Sequence, residues 1–233
     1  MNSRRIVAAR RGAGQNRPLA PRGSGFTLVE LMVTLAIGAI LVAAAAPAFT
    51  ETIRASRLAA EINEVVYALN LARSEAVKRG TRVTLCKSAN GASCAASTVS
   101  WNSGWIVFMD RDGNGVIEAS DADLNGNGAL DTGEDRDGDG ALTAADALLK
   151  VAPSTVREGF NLWSTYDTRV TYRATGDVTS TGRFVLCEGT DKTKARAVFI
   201  SAAGRIRLAQ DTNSNNIPEV PSTGADIASC TST

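Results

Sequence analysis

The chain has 233 residues, 44 % of them hydrophobic, and a formal net charge of +1, which suits one folded domain with extensions and excludes a low-complexity chain. It has no histidine, so no Ser-His or Cys-His catalytic pair can be built, the commonest metal ligand is absent, and an enzyme is not expected. The small net charge hides an asymmetry. Residues 1–25 carry six arginines and no acid, whereas residues 110–146 hold eleven acids against Arg111 and Arg136, a local net of −9.

The first element after the basic segment is the run FTLVELMVTLAIGAILVAAAAPAF at 26–49, whose one charge is Glu30. About 20 apolar residues in a helix cross the hydrocarbon core of a bilayer, so this segment is long enough to span. Arginines crowd its N-terminal side, which places residues 1–25 on the cytoplasmic side and the rest outside. A secretory signal would have a shorter apolar region followed by a small-residue cleavage site. Here the distinctive residues come first. Gly25-Phe26-Thr27-Leu28-Val29-Glu30 resembles the prepilin peptidase site of type IV pilins and pseudopilins. That resemblance implies cleavage after Gly25, N-methylation of Phe26, an acid at the fifth mature position (Glu30) and a helix-weakening proline near the twenty-second (Pro47). A lone carboxylate in an apolar helix needs a partner. The new amine on Phe26 of a neighbouring subunit would serve.

Residues 51–79 continue as an amphipathic helix, with Leu58, Ile62, Val65, Leu69, Ala72 and Ala76 at spacings of three and four, and Gly80 as its stop. Short β-branched and aromatic runs then predict strands at 82–86, 105–108, 170–172, 183–187, 197–200 and 205–208, separated by Gly, Asn and Asp turns. The expected fold is α+β: a leader at 1–25, a transmembrane helix at 26–49, an exported helix at 50–80, and an antiparallel β-rich head at 81–233. The stretch 71–79 (LARSEAVKR), the strand ending in Cys86, and Trp101-x-x-Gly104-Trp105-Ile106-Val107-Phe108 ending at Asp110 resemble the GspH/FimT family of minor pilins and pseudopilins. The likeness covers 25–110 and about 155–230, and implies a filament subunit with a pilin-like fold.

Between those parts lies the acidic insert. It holds three end-to-end copies of a calcium-loop pattern: Asp110, Asp112, Asn114 and Asp121; Asp123, Asn125, Asn127 and Glu134; Asp135, Asp137, Asp139 and Asp146. Oxygen ligands at positions one, three, five and twelve, with glycine at six, suit Ca²⁺. Ile117, Leu130 and Leu142 stand at position eight, where such a loop points a side chain into a core. The arrangement resembles the tandem loops of dockerin or thrombospondin type 3 repeats, and only the last copy runs into an expected helix, 144–150. A fourth stretch, Asp211-x-Asn213-x-Asn215-Asn216, lacks the glycine and has Pro218.

Gly204-Arg205-Ile206-Arg207 resembles the Gly-Arg-x-Arg motif that contacts DNA in FimT-like minor pilins. On a strand, Arg205 and Arg207 would share one face and offer bidentate phosphate contacts, with Arg183, Lys192, Lys194 and Arg196 as possible extensions. The four cysteines (Cys86, Cys94, Cys187 and Cys230) are an even set that suits two disulfides outside the cytoplasm. The closeness of Cys86 and Cys94 favours that pair, with Cys187–Cys230 the other. The family resemblance implies a single-pass inner-membrane protein with a periplasmic head. Its partners would be prepilin peptidase, other pilin or pseudopilin subunits and, in the leading reading, DNA for uptake. The alternatives are a GspH-like pseudopilin of type II secretion and a calcium-dependent adhesive module on a pilin stalk.

Overall fold

A computed structural model describes residues 25–153 and 159–230. The leader expected at 1–25 therefore lies outside the described residues, apart from Gly25. The chain divides into two compact units, 1–48 and 49–233.

Helix α1 (Leu28–Arg79) runs through both units. The Thr27 hydroxyl accepts the Glu30 N–H at 3.2 Å, which satisfies one orphan donor at the N-terminus. At the other end Gly80 takes φ +65° and Thr81 N–H reaches back to the Ala76 carbonyl, so the helix stops where a left-handed residue is available. In the first unit Leu28, Leu31, Leu35, Ile40 and Leu41 are exposed. This is the one described helix long and apolar enough to cross a membrane, by length and composition.

Among the described residues of the second unit, eight strands form two antiparallel sheets. The first has the order β3 (Leu148–Pro153), β2 (Gly104–Met109), β1 (Val83–Lys87), β5 (Arg169–Tyr172). The second has the order β4 (Phe160–Ser164), β6 (Gly182–Glu188), β7 (Asp191–Ile200), β8 (Ile206–Leu208). One core joins the helix stripe to both sheets: Leu58, Ile62, Val65, Leu69, Ala72 and Ala76 meet Val83, Leu85, Val107, Phe184, Leu186 and Val198. Full burial of a side chain such as Ile62 or Leu69 contributes roughly 2 kcal/mol.

The opposite face of each sheet is also covered. Cys86, Ile106 and Phe108 pack under Cys94 and Ile117. Val185, Cys187, Ala195 and Ala197 pack under Ile227 and Cys230. This double burial explains why β2 reads as a continuous apolar run rather than as an alternating strand, and why every residue of β1, Thr84 and Lys87 included, is buried. Disulfides Cys86–Cys94 and Cys187–Cys230 fasten the two covering segments.

Two expectations are corrected. The helix expected over 144–150 is a single 3-10 turn, Ala144–Ala147, followed at once by β3, whose Leu148 and Lys150 pair with Phe108 and Val107. A short apolar run cannot be told from a strand by periodicity, and the open edge of β2 decided the matter. Strand β4 has no counterpart among the expected strands. Its pairing with β6, Leu162 opposite Leu186, supplies the edge of the second sheet.

Candidate functional site

Strands β6, β7 and β8 set one basic row on the second sheet. Arg183 lies opposite Phe199, and Phe199 opposite Arg207, so the three share the face turned away from α1. Arg205 follows at period two on the same face, and its N–H is held by the Ser201 hydroxyl at 3.2 Å. Arg183, Arg205, Arg207 and Phe199 line a cleft of about 660 Å³ whose far wall is Val220, Pro221 and Ser222. None of the three guanidiniums has a hydrogen bond or ion pair to another described residue; Arg183 lies over the Trp163 ring at 5.4 Å.

Gly204 acts through the backbone. It takes φ +69° in a tight turn whose N–H bonds to the Ser201 carbonyl at 2.8 Å. A Cβ there would come within 2.0 Å of the Gly176 carbonyl oxygen. Arg73 on α1 donates to Gly176 at 3.0 Å and to the Ala203 carbonyl at 3.2 Å, fastening both turns.

Of the proposed extensions, only Arg183 joins the row. Lys194 and Arg196 alternate with the outward Ala195 and Ala197 and lie beside Glu51 and Arg54 on the helix side. Lys192 donates to the Ala228 carbonyl. The signal for Arg183 was its place two residues before the outward Val185, but the cross-strand register was needed to set it beside Arg207.

The insert folds as three copies of one loop. In each, the first carboxylate accepts the N–H of the sixth-position glycine: Gly115 to Asp110 at 3.1 Å, Gly128 to Asp123 at 2.7 Å, Gly140 to Asp135 at 3.1 Å. These glycines take φ between +73° and +80°, so glycine is required there. The twelfth-position acid closes each loop by accepting the N–H of position two: Arg111 to Asp121, Leu124 to Glu134, Arg136 to Asp146. It also accepts that of position nine, from Glu118, Asp131 and Thr143. Positions three (Asp112, Asn125, Asp137) and five (Asn114, Asn127, Asp139) form Asx turns along the rim.

Ligand oxygens of Asp110, Asp112 and Asp121 lie within 4.8 Å of one another, as do those of Asp135, Asp137 and Asp139. Such an all-oxygen, multiply charged set fits a hard cation, Ca²⁺ above all. Burial pushes the Asp121 carboxyl above its usual range, against the Arg111 and Glu118 N–H bonds, and the neighbouring Asp110 and Asp112 charges push the same way. The Gly128 N–H holds Asp123 below the usual range. For Asp146 burial pulls upward, but hydrogen bonds from Thr143, Arg136 and Asp137 outweigh it and the carboxyl lies low. Ile117 and Leu142 pack against Met109, Ala122 and Ala147, whereas Leu130 of the middle loop is exposed.

The fourth stretch follows the same plan more closely than its sequence suggested. Asn216 takes the glycine's place with φ +65° and donates to Asp211 at 2.8 Å. The closing acid is Glu219, at the ninth position, accepting Thr212 and Asn213 N–H. Asp226, eleven residues beyond Asn215, accepts the Asn213 and Asn215 side-chain amides. A search for an acid at position twelve passes over both groups.

At the N-terminal unit, Gly25 and Phe26 precede α1 and Glu30 lies exposed in its first turn.

The family model described as type II transport protein GspH matches residues 61–204, and that of the prokaryotic N-terminal methylation motif matches residues 21–46. The chain therefore belongs to the GspH family of minor pilins and pseudopilins, which assemble with other pilin subunits and are anchored through the apolar helix. Among solved structures it is similar to the Pseudomonas aeruginosa type IV minor pilin FimU in two crystal forms. One has 20 % identity and a TM-score of 0.42 over 70 % of this chain and 92 % of that one. The other has 18 % identity and a TM-score of 0.38 over 68 % and 92 %. No curated protein matches the sequence.

Proposed function

We propose that the chain is a non-catalytic minor type IV pilin that binds DNA through the phosphate backbone with Arg205, Arg207 and Arg183, and whose insert is held by Ca²⁺. The observation that carries the DNA reading is that these three guanidiniums line one cleft without partners among the described residues. Unpaired guanidiniums on a strand face supply bidentate phosphate contacts and carry no base information. The residues that would hold calcium are Asp110, Asp112, Asn114 and Asp121, and their counterparts in the next two loops; the ion supplies charge neutralisation and fixed geometry, not chemistry. Processing after Gly25 by prepilin peptidase, a single inner-membrane pass with the head outside, and pairing of Glu30 with the Phe26 amine of a neighbouring subunit complete this reading.

The description of the matching family favours a second reading, a pseudopilin of type II secretion. The two are separated with the full chain in detergent micelles and duplex DNA of unrelated sequences. Arg205→Gln with Arg207→Gln should weaken every sequence about equally and reduce the slope of log affinity against log salt by about 2. Arg196→Gln, on the other face, should change little. Equal binding by the double variant and the parent at low salt would leave the secretion reading.

A further inference from the structure

A second cleft, about 830 Å³ in volume, opens beside the first and shares Arg183 with it. Its walls are β4 with the following turn, the loop at 97–101, and the end of β1, which contributes Lys87. Lys87 is only 6 % exposed. An ammonium has three donors. The hydrogen bond found for this one runs to the Ser97 carbonyl at 3.2 Å, with the Trp101 ring 5.8 Å away. No described carboxylate forms an ion pair with it, and the one acid lining the cleft, Asp167, is exposed. Buried charges are ordinarily paired, because removing an ion from water costs several kcal/mol.

Two further donors on the lining residues lack partners. Trp163 Nε1 and Arg183 Nε are both buried, and neither has a hydrogen-bond partner among the described residues. The charged side chains lining the pocket are Lys87, Arg183 and Asp167, a net charge of +1. The pocket's volume falls in the range of about 300–1,000 Å³ that holds small molecules. Burial lowers the Lys87 ammonium below its usual range, partly against the charge of Asp167. An anion entering the cleft would reverse that desolvation penalty.

We propose that this cleft binds a phosphate-bearing group of nucleotide size, with the phosphate at the Lys87 ammonium and Arg183 as the second cation. A phosphate offers several acceptor oxygens to the two ammonium donors that Ser97 leaves, and an organic substituent fills the remaining volume beside Trp101, Trp163 and Tyr166. Two sources carry that chemistry: a free nucleotide, or one unit of a nucleic-acid strand passing Arg183. The site does not require the contact at Arg205 and Arg207.

The test is titration calorimetry on the full chain in detergent micelles, with adenosine 5′-monophosphate, adenosine, and a short single-stranded oligonucleotide. Lys87→Met keeps length and removes charge, so it should weaken the phosphate-bearing probe by about tenfold or more. Arg205→Gln with Arg207→Gln should leave mononucleotide binding in place even if duplex binding fails. A Lys87-dependent affinity for the mononucleotide, with adenosine ignored, supports the site and identifies a free nucleotide as a source. Lys87-dependent affinity for the oligonucleotide alone supports it with the strand as source. Affinities for both probes that Lys87→Met does not alter would overturn it, as would no binding of either. Should Lys87→Met fail to fold, the parent labelled with ¹³C-lysine decides: the ε-methylene signal of Lys87 must shift on adding one of the probes, and a stationary signal rejects the site.

Discussion

The carbonyl oxygen of Gly176 occupies the space that a Cβ on Gly204 would need, at 2.0 Å from its ideal position. Gly204 also has φ +69°, so two independent restrictions fall on the residue that begins the arginine pair. Arg73 holds the Gly176 carbonyl from the helix side, so the turn cannot move aside without losing that bond. Gly204→Ala should therefore destabilise the head by roughly 2 kcal/mol or more and displace Arg205 and Arg207 together. A thermal melt checks the first effect and DNA affinity the second. An unchanged melting point would show that the turn yields.

The calcium reading predicts a stability increment that depends on the ion. The first and third loops gather carboxylates whose mutual repulsion a cation relieves. With calcium at about a hundred times its dissociation constant, one site adds about 2.7 kcal/mol. The melting temperature should rise with calcium and fall back with chelator, and Asp121→Asn with Asp146→Asn should remove most of the rise. No calcium-dependent change in the parent would refute a structural ion.

The two disulfides should differ in weight. Cys187–Cys230 closes a separation of 43 residues and Cys86–Cys94 one of 8. The loop-entropy argument gives about 4 kcal/mol for the longer and about 2.5 kcal/mol for the shorter. Paired Cys→Ser variants compared by denaturant midpoint would show the order. The longer one also fixes the segment carrying Ile227 against β6.

Acid should loosen the turn beneath Gly204. Hydrogen bonds from the Thr175 hydroxyl and then from Arg173 hold Asp177 below the usual carboxylate range. Its folded value is depressed, so its contribution is fully present above the unfolded value of about 4 and is lost as pH falls below it toward the folded value. Asp177→Asn should be less stable than the parent at neutral pH, and the gap should narrow below that value. Urea midpoints across the acid range test this; a constant gap would assign the loss to packing instead.

Local chemistry determined much of the molecule. The apolar run after Gly25, the period of the helix stripe from Leu58 to Ala76, and the spacing of oxygens and glycine in the insert are each properties of a few consecutive residues. Helix period, turn geometry and ion coordination depend on just such neighbours. What joins distant residues was settled by tertiary structure alone. Strand register set Arg183 across Phe199 from Arg207 and turned Arg196 to the other face. The edge of β2 made a strand of Leu148–Pro153, whose first three residues fall in the helix expected over 144–150. The C-terminal fold brought Asp226 to Asn215, and the 97–101 loop and β4 close over the end of β1 to bury Lys87 in a cleft. A side chain's partner across a sheet depends on pairing over tens to a hundred residues, and no short window of sequence carries that distance.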